Sequence, residues 1–138
     1  LKNLLEVFKR DTQNKVDIAS LKIRMNDLEE INNPNNVKVV CDENDFAMYF
    51  SRSPIPFARE ISKVAYYKHI GIYAFRKQAL IDFYHTPVTP LEAAEKIEAI
   101  RYQEIGKKIK MVETNVEAIG IDTPEDLDKA IQFLTSDE

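Results

Sequence analysis

A segment with the pattern of a β-strand carries two side chains that could contact a polar ligand, His69 and Tyr73. Alternate strand residues face opposite sides, so these two share one face with Gly71. The other face is apolar and comprises Ile70, Ile72 and Ala74. At about 3.3 Å per residue the two residues stand roughly 13 Å apart, with a glycine leaving a gap between them. This layout predicts a polar ligand lying across a sheet, although a strand histidine can also be a hydrogen-bonded core residue.

Two arginines, Arg52 and Arg59, flank a proline-containing loop at the end of another predicted strand. A guanidinium group matches a carboxylate or a phosphate at two points, and Pro54 and Pro56 would stiffen the loop that aims it. The segment therefore predicts an anion site. The alternative is two solvated arginines beside a rigid turn.

Two acidic residues are further candidates. In a helix predicted from Pro90 to about Ile105, Glu98 and Arg101 fall inside the apolar arc. A charge there is costly unless it is paired or used, so Glu98 either pairs with Arg101 or accepts hydrogen bonds from the hydroxyl groups of a sugar-like ligand. Asp122 follows a predicted strand and precedes a helix, where a carboxylate can bind Mg²⁺ or favour the helix N-terminus through its dipole.

The elements that must position these residues alternate between helix and strand. The periodicity predicts helices over residues 1–10, 77–84 and 90–105, and another from residue 124. It predicts strands over residues 16–25, 66–76 and 108–112, and a hairpin of residues 37–41 and 46–51 with its turn at 42–45. This mixture predicts the α/β class and a mixed sheet.

Composition excludes several classes of protein. The 138 residues fit one domain, and the net charge of −4 comes without a basic cluster, so we expect no nucleic-acid partner. Cys41 is the one cysteine, so it can form neither an internal disulfide nor a cysteine zinc site. No apolar run approaches the roughly 20 residues of a membrane span, and no signal-like segment opens the chain. The cytoplasm is therefore the expected compartment.

Five blocks occur together and in order. They are Pro34-Asn35-Asn36-Val37-Lys38-Val39-Val40, Tyr49-Phe50-Ser51-Arg52-Ser53-Pro54-Ile55-Pro56, His69-Ile70-Gly71-Ile72-Tyr73, Pro90-Leu91-Glu92 and Asp122-Thr123-Pro124-Glu125-Asp126-Leu127. Over residues 33–134 the chain resembles the 3-deoxy-manno-octulosonate cytidylyltransferases, or CMP-KDO synthetases. The sialic-acid cytidylyltransferases match these blocks less well.

The resemblance implies a three-layer α/β/α nucleotide-diphospho-sugar transferase fold and a homodimer. It implies an enzyme that joins CTP to the sugar acid KDO, giving CMP-KDO and pyrophosphate for lipopolysaccharide synthesis. Arg52 and Arg59 match sugar-site arginines. His69, Tyr73 and Glu98 match sugar-contacting positions, and Asp122 matches one of two aspartates that hold the catalytic Mg²⁺. We expect Tyr73→Ala and Arg59→Ala to weaken sugar binding while the protein stays folded.

The chain also departs from the family. The CTP loop and the second metal aspartate belong to an N-terminal half without a counterpart here, and Leu1 would fall just after it. We therefore expect residues 1–138 to form one domain, the C-terminal sugar-binding and dimer-forming portion, and to be inactive alone. Ala99 replaces a usual glutamine, and residues 60–65 are fewer than usual. A non-catalytic sugar-acid-binding or dimerisation module, or a cytidylyltransferase for another 2-keto sugar acid, are the alternatives.

Overall fold

The structure, a computed structural model, describes residues 1–116 and 123–136. The helices in this part are α1 (Lys2–Arg10), α2 (Leu28–Asn32), α3 (Lys77–His85), α4 (Pro90–Glu95), α5 (Ala99–Glu104) and α6 (Pro124–Ser136). The strands are β1 (Ile18–Met25), β2 (Lys38–Cys41), β3 (Ala47–Ser51), β4 (Tyr66–Phe75) and β5 (Ile109–Glu113). The predicted α/β class is thus confirmed.

The described strands form one mixed sheet in the order β3-β2-β4-β1-β5. β1 pairs antiparallel with β4 and parallel with β5, and the predicted hairpin of β2 and β3 is present. Its turn is set by Asp42, whose carboxylate accepts hydrogen bonds from the backbone N–H groups of Asn44 and Phe46, each at 2.9 Å. Carboxylates that bond their own backbone favour turns over extended strand, so the chain reverses at this point.

Helices α3 and α5 cover one face of the sheet. Its main hydrophobic core joins strand residues to Ala79 of α3 and to three residues of α5; the buried members include Ile18, Val39, Phe50, Ala79, Ala99, Ile100, Tyr102, Ile109 and Met111. Leu4 of α1 is buried outside this cluster, and α1 contacts β1, β4 and β5. Alternation along β1 turns Ile18 toward the helical core and Ala19 away from it, so α1 packs on the second face. Helix, sheet and helix therefore form layers.

The predicted helix of residues 90–105 is wrong as a single helix. Helix α4 ends at Lys96, which adopts a left-handed conformation with φ 57°, and α5 starts afresh after Glu98. The guanidinium of Arg52 accounts for this break, because it donates to the free carbonyl oxygens of Glu95 and Lys96 at 2.7 and 3.0 Å. These are the end carbonyls that a helix leaves without an internal partner. The predicted end of α5 is confirmed, with Gly106 at φ 80°.

Two other helix starts differ in whether the local sequence predicts them. Thr123 and Asp126 form a reciprocal cap at the start of α6, with backbone N–H groups donating to the partner side chains at 3.1 and 3.2 Å. Helix α2 was not predicted, since the polar stretch around it is typical of a loop. Its start is Asp27, whose carboxylate accepts from the backbone N–H of Glu29 at 3.0 Å.

Candidate functional site

A bulge in β4 shapes the candidate site. Ser20 pairs with Tyr73, and the next residue, Leu21, pairs with Ile70. Two residues of β4 therefore have no pairing partner on β1. Such a bulge kinks the strand and redirects its side chains. The ring centroids of His69 and Tyr73 consequently lie 5.4 Å apart and meet edge to face, so the predicted wide gap between them is wrong.

The bulge also corrects the two predicted faces of β4. Ile72 lies in the bulge and is 37% exposed, whereas Ile70 is buried, so the predicted apolar face is interrupted. A side chain at Gly71 would meet open space. His69 and Tyr73 themselves border the helical core rather than an open sheet surface, because Phe50 packs on the imidazole at 4.8 Å and Tyr73 packs on that core.

Aromatic rings make a continuous wall behind the candidate site. The ring of Tyr73 contacts Phe75 at 5.7 Å and Tyr102 at 6.4 Å, and Tyr102 stacks on Phe83 of α3 at 4.2 Å. Burial raises the pKa of the Tyr73 phenol above its ordinary value, and the charge of Glu98 raises it further. Burial likewise raises the pKa of Tyr102 to about 12. Both phenols are therefore neutral donors at neutral pH.

Glu98 is exposed at the start of α5. The charge of Glu98 contributes to the raised pKa of both Tyr73 and Tyr102. The structure thus brings two of the sequence-predicted residues into contact, His69 and Tyr73. The prediction that Glu98 contacts a sugar hydroxyl stays a prediction.

Arg101 does not form an ion pair with Glu98. The alternative that these two residues pair with each other is therefore wrong. Its guanidinium makes two 2.6 Å hydrogen bonds to the carboxylate of Glu92 and lies over the Phe83 ring at 4.2 Å from the centroid. The bonds from Arg101 hold the pKa of Glu92 below its ordinary value despite burial. The break after α4 explains the change of partner, since a continuous helix would not fold residue 92 back toward residue 101.

Arg52 is bound to the protein itself. Besides its bonds to the end of α4, the guanidinium donates to the carbonyl oxygen of Pro34 at 2.9 Å. The backbone N–H of Arg52 donates to the carboxylate of Glu95 at 3.0 Å. This arrangement ties the proline loop to α4, and the sugar-binding role of Arg52 stays a prediction.

Glu95 is a residue that sequence reasoning missed. Its carboxylate accepts from the hydroxyl groups of Ser51 at 2.8 Å and Tyr49 at 3.4 Å, as well as from the Arg52 backbone. Burial opposes the charged form, yet these hydrogen bonds hold the pKa of Glu95 below its ordinary value. Its partners stand more than 40 positions away in the chain, so local spacing carries no signal of the interaction.

Arg59 presents the available positive charge of the proline loop. It is exposed, and within the described residues its guanidinium makes neither a hydrogen bond nor an ion pair. The Tyr66 hydroxyl donates to the carbonyl oxygen of Pro56 at 3.0 Å and anchors the loop to β4. A guanidinium without a protein partner is suited to bind a carboxylate or phosphate in two places.

The predicted metal ligand, Asp122, lies outside the described residues. Within residues 1–116 and 123–136, no three His, Cys, Asp or Glu side chains are grouped so that they could hold a metal ion. The magnesium site therefore stays a prediction. The same residues form no helix long and apolar enough to cross a membrane.

Comparison with known proteins shows which family the chain belongs to. The model of the cytidylyltransferase family matches residues 2–109. A 3-deoxy-manno-octulosonate cytidylyltransferase of Christiangramia forsetii is 60% identical over 98% of this chain and 55% of its own length. Those of Flavobacterium johnsoniae and Fusobacterium nucleatum are 60% and 46% identical, over 97% of this chain and 55% and 54% of their own lengths.

A solved structure shares the fold. The structure of CMP:2-keto-3-deoxy-manno-octonic acid synthetase complexed with CTP aligns with a TM-score of 0.90 and 34% identity. The alignment covers 99% of this chain and 56% of that chain. The sequence thus spans about half the length of the curated relatives it matches. Because the family model covers most of these residues, this chain belongs to the cytidylyltransferase family, where its relatives are 3-deoxy-manno-octulosonate cytidylyltransferases.

Proposed function

We propose that this chain is the sugar-acid-binding portion of an enzyme that joins CTP to KDO and releases pyrophosphate, for lipopolysaccharide synthesis in the cytoplasm. The carrying observation is the contact of His69 with Tyr73 beside one aromatic wall, in a chain 60% identical to a 3-deoxy-manno-octulosonate cytidylyltransferase. Neutral ring groups and one carboxylate offer several hydrogen bonds to hydroxyl groups, which suits a polyhydroxylated ligand.

Differently charged side chains are proposed to bind different groups of the ligand. KDO carries a carboxylate and several hydroxyl groups. In the proposal Arg59 binds the carboxylate, because its guanidinium has no partner among the described residues, while Glu98 accepts from a sugar hydroxyl. The Tyr73 phenol stays protonated and donates. The anomeric hydroxyl group of KDO loses its proton to solvent as its oxygen forms a bond to the α-phosphorus of CTP. The bond from that phosphorus to the pyrophosphate oxygen breaks, and pyrophosphate leaves.

Asp122 is the chain's proposed contribution to the Mg²⁺ site, and further ligands would have to come from elsewhere. When bound, Mg²⁺ neutralises the negative charge that develops on pyrophosphate. Since Asp122 lies outside the described residues, we derive no geometry for this step.

Calorimetric titration tests the binding part of the proposal. We expect KDO to bind the purified chain, and Arg59→Ala to weaken that binding by about tenfold or more, the loss of a charge-assisted hydrogen bond. Arg10→Ala is the matched control, because Arg10 is also exposed and lies on α1, across the sheet. Absence of KDO binding to the unmodified chain would refute the proposed site.

Activity and nucleotide binding separate the alternatives. We expect these residues alone to form no CMP-KDO with CTP and Mg²⁺, and detection of product would refute that. Binding of KDO without any effect of CTP favours a non-catalytic sugar-acid module. Ala99 is fully buried and offers no hydrogen bond where the family usually has glutamine, so another 2-keto sugar acid is also tested. A panel of sugar acids decides between the substrates.

The proposal includes a homodimer. Helix α3, the segment after it and the first turn of α4 expose several large apolar side chains, which is typical of an interaction surface. These are Leu80, Ile81, Tyr84, Val88 and Leu91. Sedimentation equilibrium should give twice the chain mass, and Tyr84→Glu should shift the equilibrium toward the monomer. A monomer at millimolar concentration would contradict this part.

A further inference from the structure

Ser20 is a buried strand residue to which the proposed function assigns no role. It is fully buried in β1, opposite the bulge of β4. Its hydroxyl oxygen lies 2.8 Å from the carbonyl oxygen of Ile72, 3.2 Å from that of Ile70 and 2.8 Å from Nε2 of His69. One hydroxyl group thus meets three polar atoms in a buried place.

The number of available protons determines which group donates and which accepts in each of these hydrogen bonds. A hydroxyl group has one proton and two lone pairs, whereas a carbonyl oxygen can only accept. If Ser20 gave its proton to His69, its lone pairs would face two carbonyl oxygens, the nearer at 2.8 Å. If Ser20 gives its proton to a carbonyl oxygen instead, Nε2 of His69 must carry hydrogen and donate to Oγ. In the second arrangement the nearer carbonyl oxygen receives the proton and Nε2 has an acceptor, so only the carbonyl oxygen at 3.2 Å faces a lone pair of Ser20.

The protonation state of His69 then fixes its other nitrogen. Burial lowers the pKa of His69 to about 4, so the ring is neutral at pH 7 and carries a single N–H. With that hydrogen on Nε2, Nδ1 has a bare lone pair. Nδ1 has no hydrogen-bond partner among the described residues, and His69 as a whole is only partly buried. No protein donor therefore occupies the lone pair of Nδ1.

Ring packing holds the imidazole in this orientation. Phe50 lies on it at 4.8 Å and Tyr73 meets it edge to face at 5.4 Å. Neither neighbour offers a charge, and within residues 1–116 and 123–136 burial alone lowers the pKa of the His69 ring. Ser20 is therefore the polar contact that discriminates between the two neutral forms of the ring.

We propose that Ser20 is a positioning residue, which fixes His69 as the neutral Nε2–H tautomer and leaves Nδ1 to accept a hydrogen bond from a hydroxyl group of the sugar acid. This inference rests on the proposed function and deepens it. A bare nitrogen accepts from a hydroxyl group and repels a carboxylate oxygen. His69 thus selects for a hydroxyl group at its position and directs the carboxylate of the ligand elsewhere, toward the cation of Arg59.

The tautomer can be read without any ligand. Two-bond ¹H–¹⁵N spectra of the chain at pH 7 should show Nε2 protonated and Nδ1 bare, with His85→Gln assigning the two histidines. In Ser20→Ala the Nε2–H loses its acceptor, so the Nδ1–H form should appear. Ser20→Thr keeps a hydroxyl group and should keep the tautomer. Ser51→Ala is the control, because Ser51 is an equally buried strand serine that bonds Glu95 instead.

KDO titration gives the second readout. Ser20→Ala should weaken KDO binding about tenfold, the cost of one poorly presented acceptor, while Ser20→Thr should stay within about threefold of the unmodified chain. The Ser20→Thr variant and the spectrum of the unmodified chain keep the test decisive if Ser20→Ala fails to fold.

The outcomes of these two measurements distinguish the role of Ser20 from the proposed function. A protonated Nδ1 in the unmodified chain, or an unchanged tautomer and unchanged KDO affinity in Ser20→Ala, would overturn the role of Ser20 while the proposed function stands. An Nε2–H tautomer in a chain that binds no KDO would overturn the sugar contact together with the proposed function. A tautomer shift with weakened binding supports both.

Discussion

His69 and Tyr73 show how single residues keep a polar site neutral. Both sit against aromatic rings, and burial moves each pKa in the direction that removes charge. The imidazole loses its proton and the phenol retains its own. Hydrogen bonding of hydroxyl groups is then left to neutral groups, and charge is confined to exposed side chains such as Glu98 and Arg59. A charged imidazole in this place would have no carboxylate partner in the part of the chain that the structure describes.

The pKa of His69 predicts a loss of stability in mild acid. The unfolded chain takes up a proton at His69 below its ordinary pKa of 6.5, whereas the folded chain does so only near 4. Because the unfolded state binds more protons in this window, the free energy of unfolding falls as the pH drops from about 6.5 to about 4, by roughly 3 kcal/mol in total.

Urea unfolding of the unmodified chain and of His69→Gln over this pH range checks the prediction. The difference between the two unfolding free energies should change with pH, since carboxylates contribute equally to both proteins. His85→Gln is the control, because that histidine is exposed in the last turn of α3. Parallel curves for the unmodified chain and His69→Gln would contradict the prediction.

Tyr73 requires a different variant from the one that sequence suggests. Its ring packs on His69, Phe75 and Tyr102, so Tyr73→Ala should lower the free energy of unfolding by about 3 to 5 kcal/mol and cannot report on binding alone.

Tyr73→Phe keeps the ring and removes only the hydroxyl group. We expect it to leave the unfolding free energy within about 1 kcal/mol and to weaken KDO binding about fivefold or more, measured by calorimetry. Tyr84→Phe, at an exposed tyrosine, should change neither quantity. Unchanged KDO affinity in Tyr73→Phe would remove the phenol from the site.

At the scale of elements, the site depends on two irregularities: the bulge in β4 and the break between α4 and α5. The sequence predicts the regular elements on either side of each, because hydrophobic periodicity and caps are local signals. It does not predict the irregularities, which are imposed from a distance. Ser20 lies opposite the bulge from β1, and Arg52 holds the end of α4 from the proline loop.

Some contacts of the candidate site can likewise be predicted from the sequence, and others cannot. His69 and Tyr73 could be predicted to share a face from their spacing, and the bulge then made their contact closer than strand geometry allows. The pairing of Arg101 could not be predicted, since a helical wheel assumes a continuous helix and Lys96 interrupts it. The partners of Glu95 and Ser20 come from other strands, where spacing within one segment carries no information.

The helix break predicts which glutamate supports the fold. Glu92→Gln should leave the largely buried Arg101 charge without its carboxylate and lower the unfolding free energy by about 3 kcal/mol. Glu98→Gln is the matched control at an exposed position and should change it by less than about 0.5 kcal/mol. Urea unfolding measures both. Equal effects of the two changes would contradict the stabilising role of the Glu92–Arg101 pair.

At the scale of the whole molecule, the hairpin of β2 and β3 bends back to meet the opposite edge of the sheet. The carbonyl oxygen of Asp45, in its turn, accepts from the backbone N–H of Met111 in β5 at 2.8 Å. The Asp45 carboxylate accepts from Nζ of Lys22 in β1, also at 2.8 Å. The first and last strands of the sheet order are thereby drawn together, and the helical core lies inside the curve.

Lys22 makes this closure testable. Its side chain is only 7% exposed, whereas that of Asp45 is 56% exposed. Burial opposes the charge of Lys22, but the hydrogen bond to Asp45 together with the charges of Asp45, Cys41 and Tyr67 offsets it, and the pKa of the lysine is raised. Asp45→Asn keeps a residue that tolerates the left-handed backbone at this position, with φ 62°, and removes only the charge.

We expect Asp45→Asn to lower the free energy of unfolding by about 1 to 2 kcal/mol, because the buried ammonium group loses its charged partner. Lys22→Met in the Asp45→Asn background should recover much of that loss, since an unbranched apolar side chain fills the same space without a charge. A double-mutant cycle by urea unfolding measures the coupling. If the two changes add independently, the hairpin turn is held by its backbone bond to β5 and not by the ion pair.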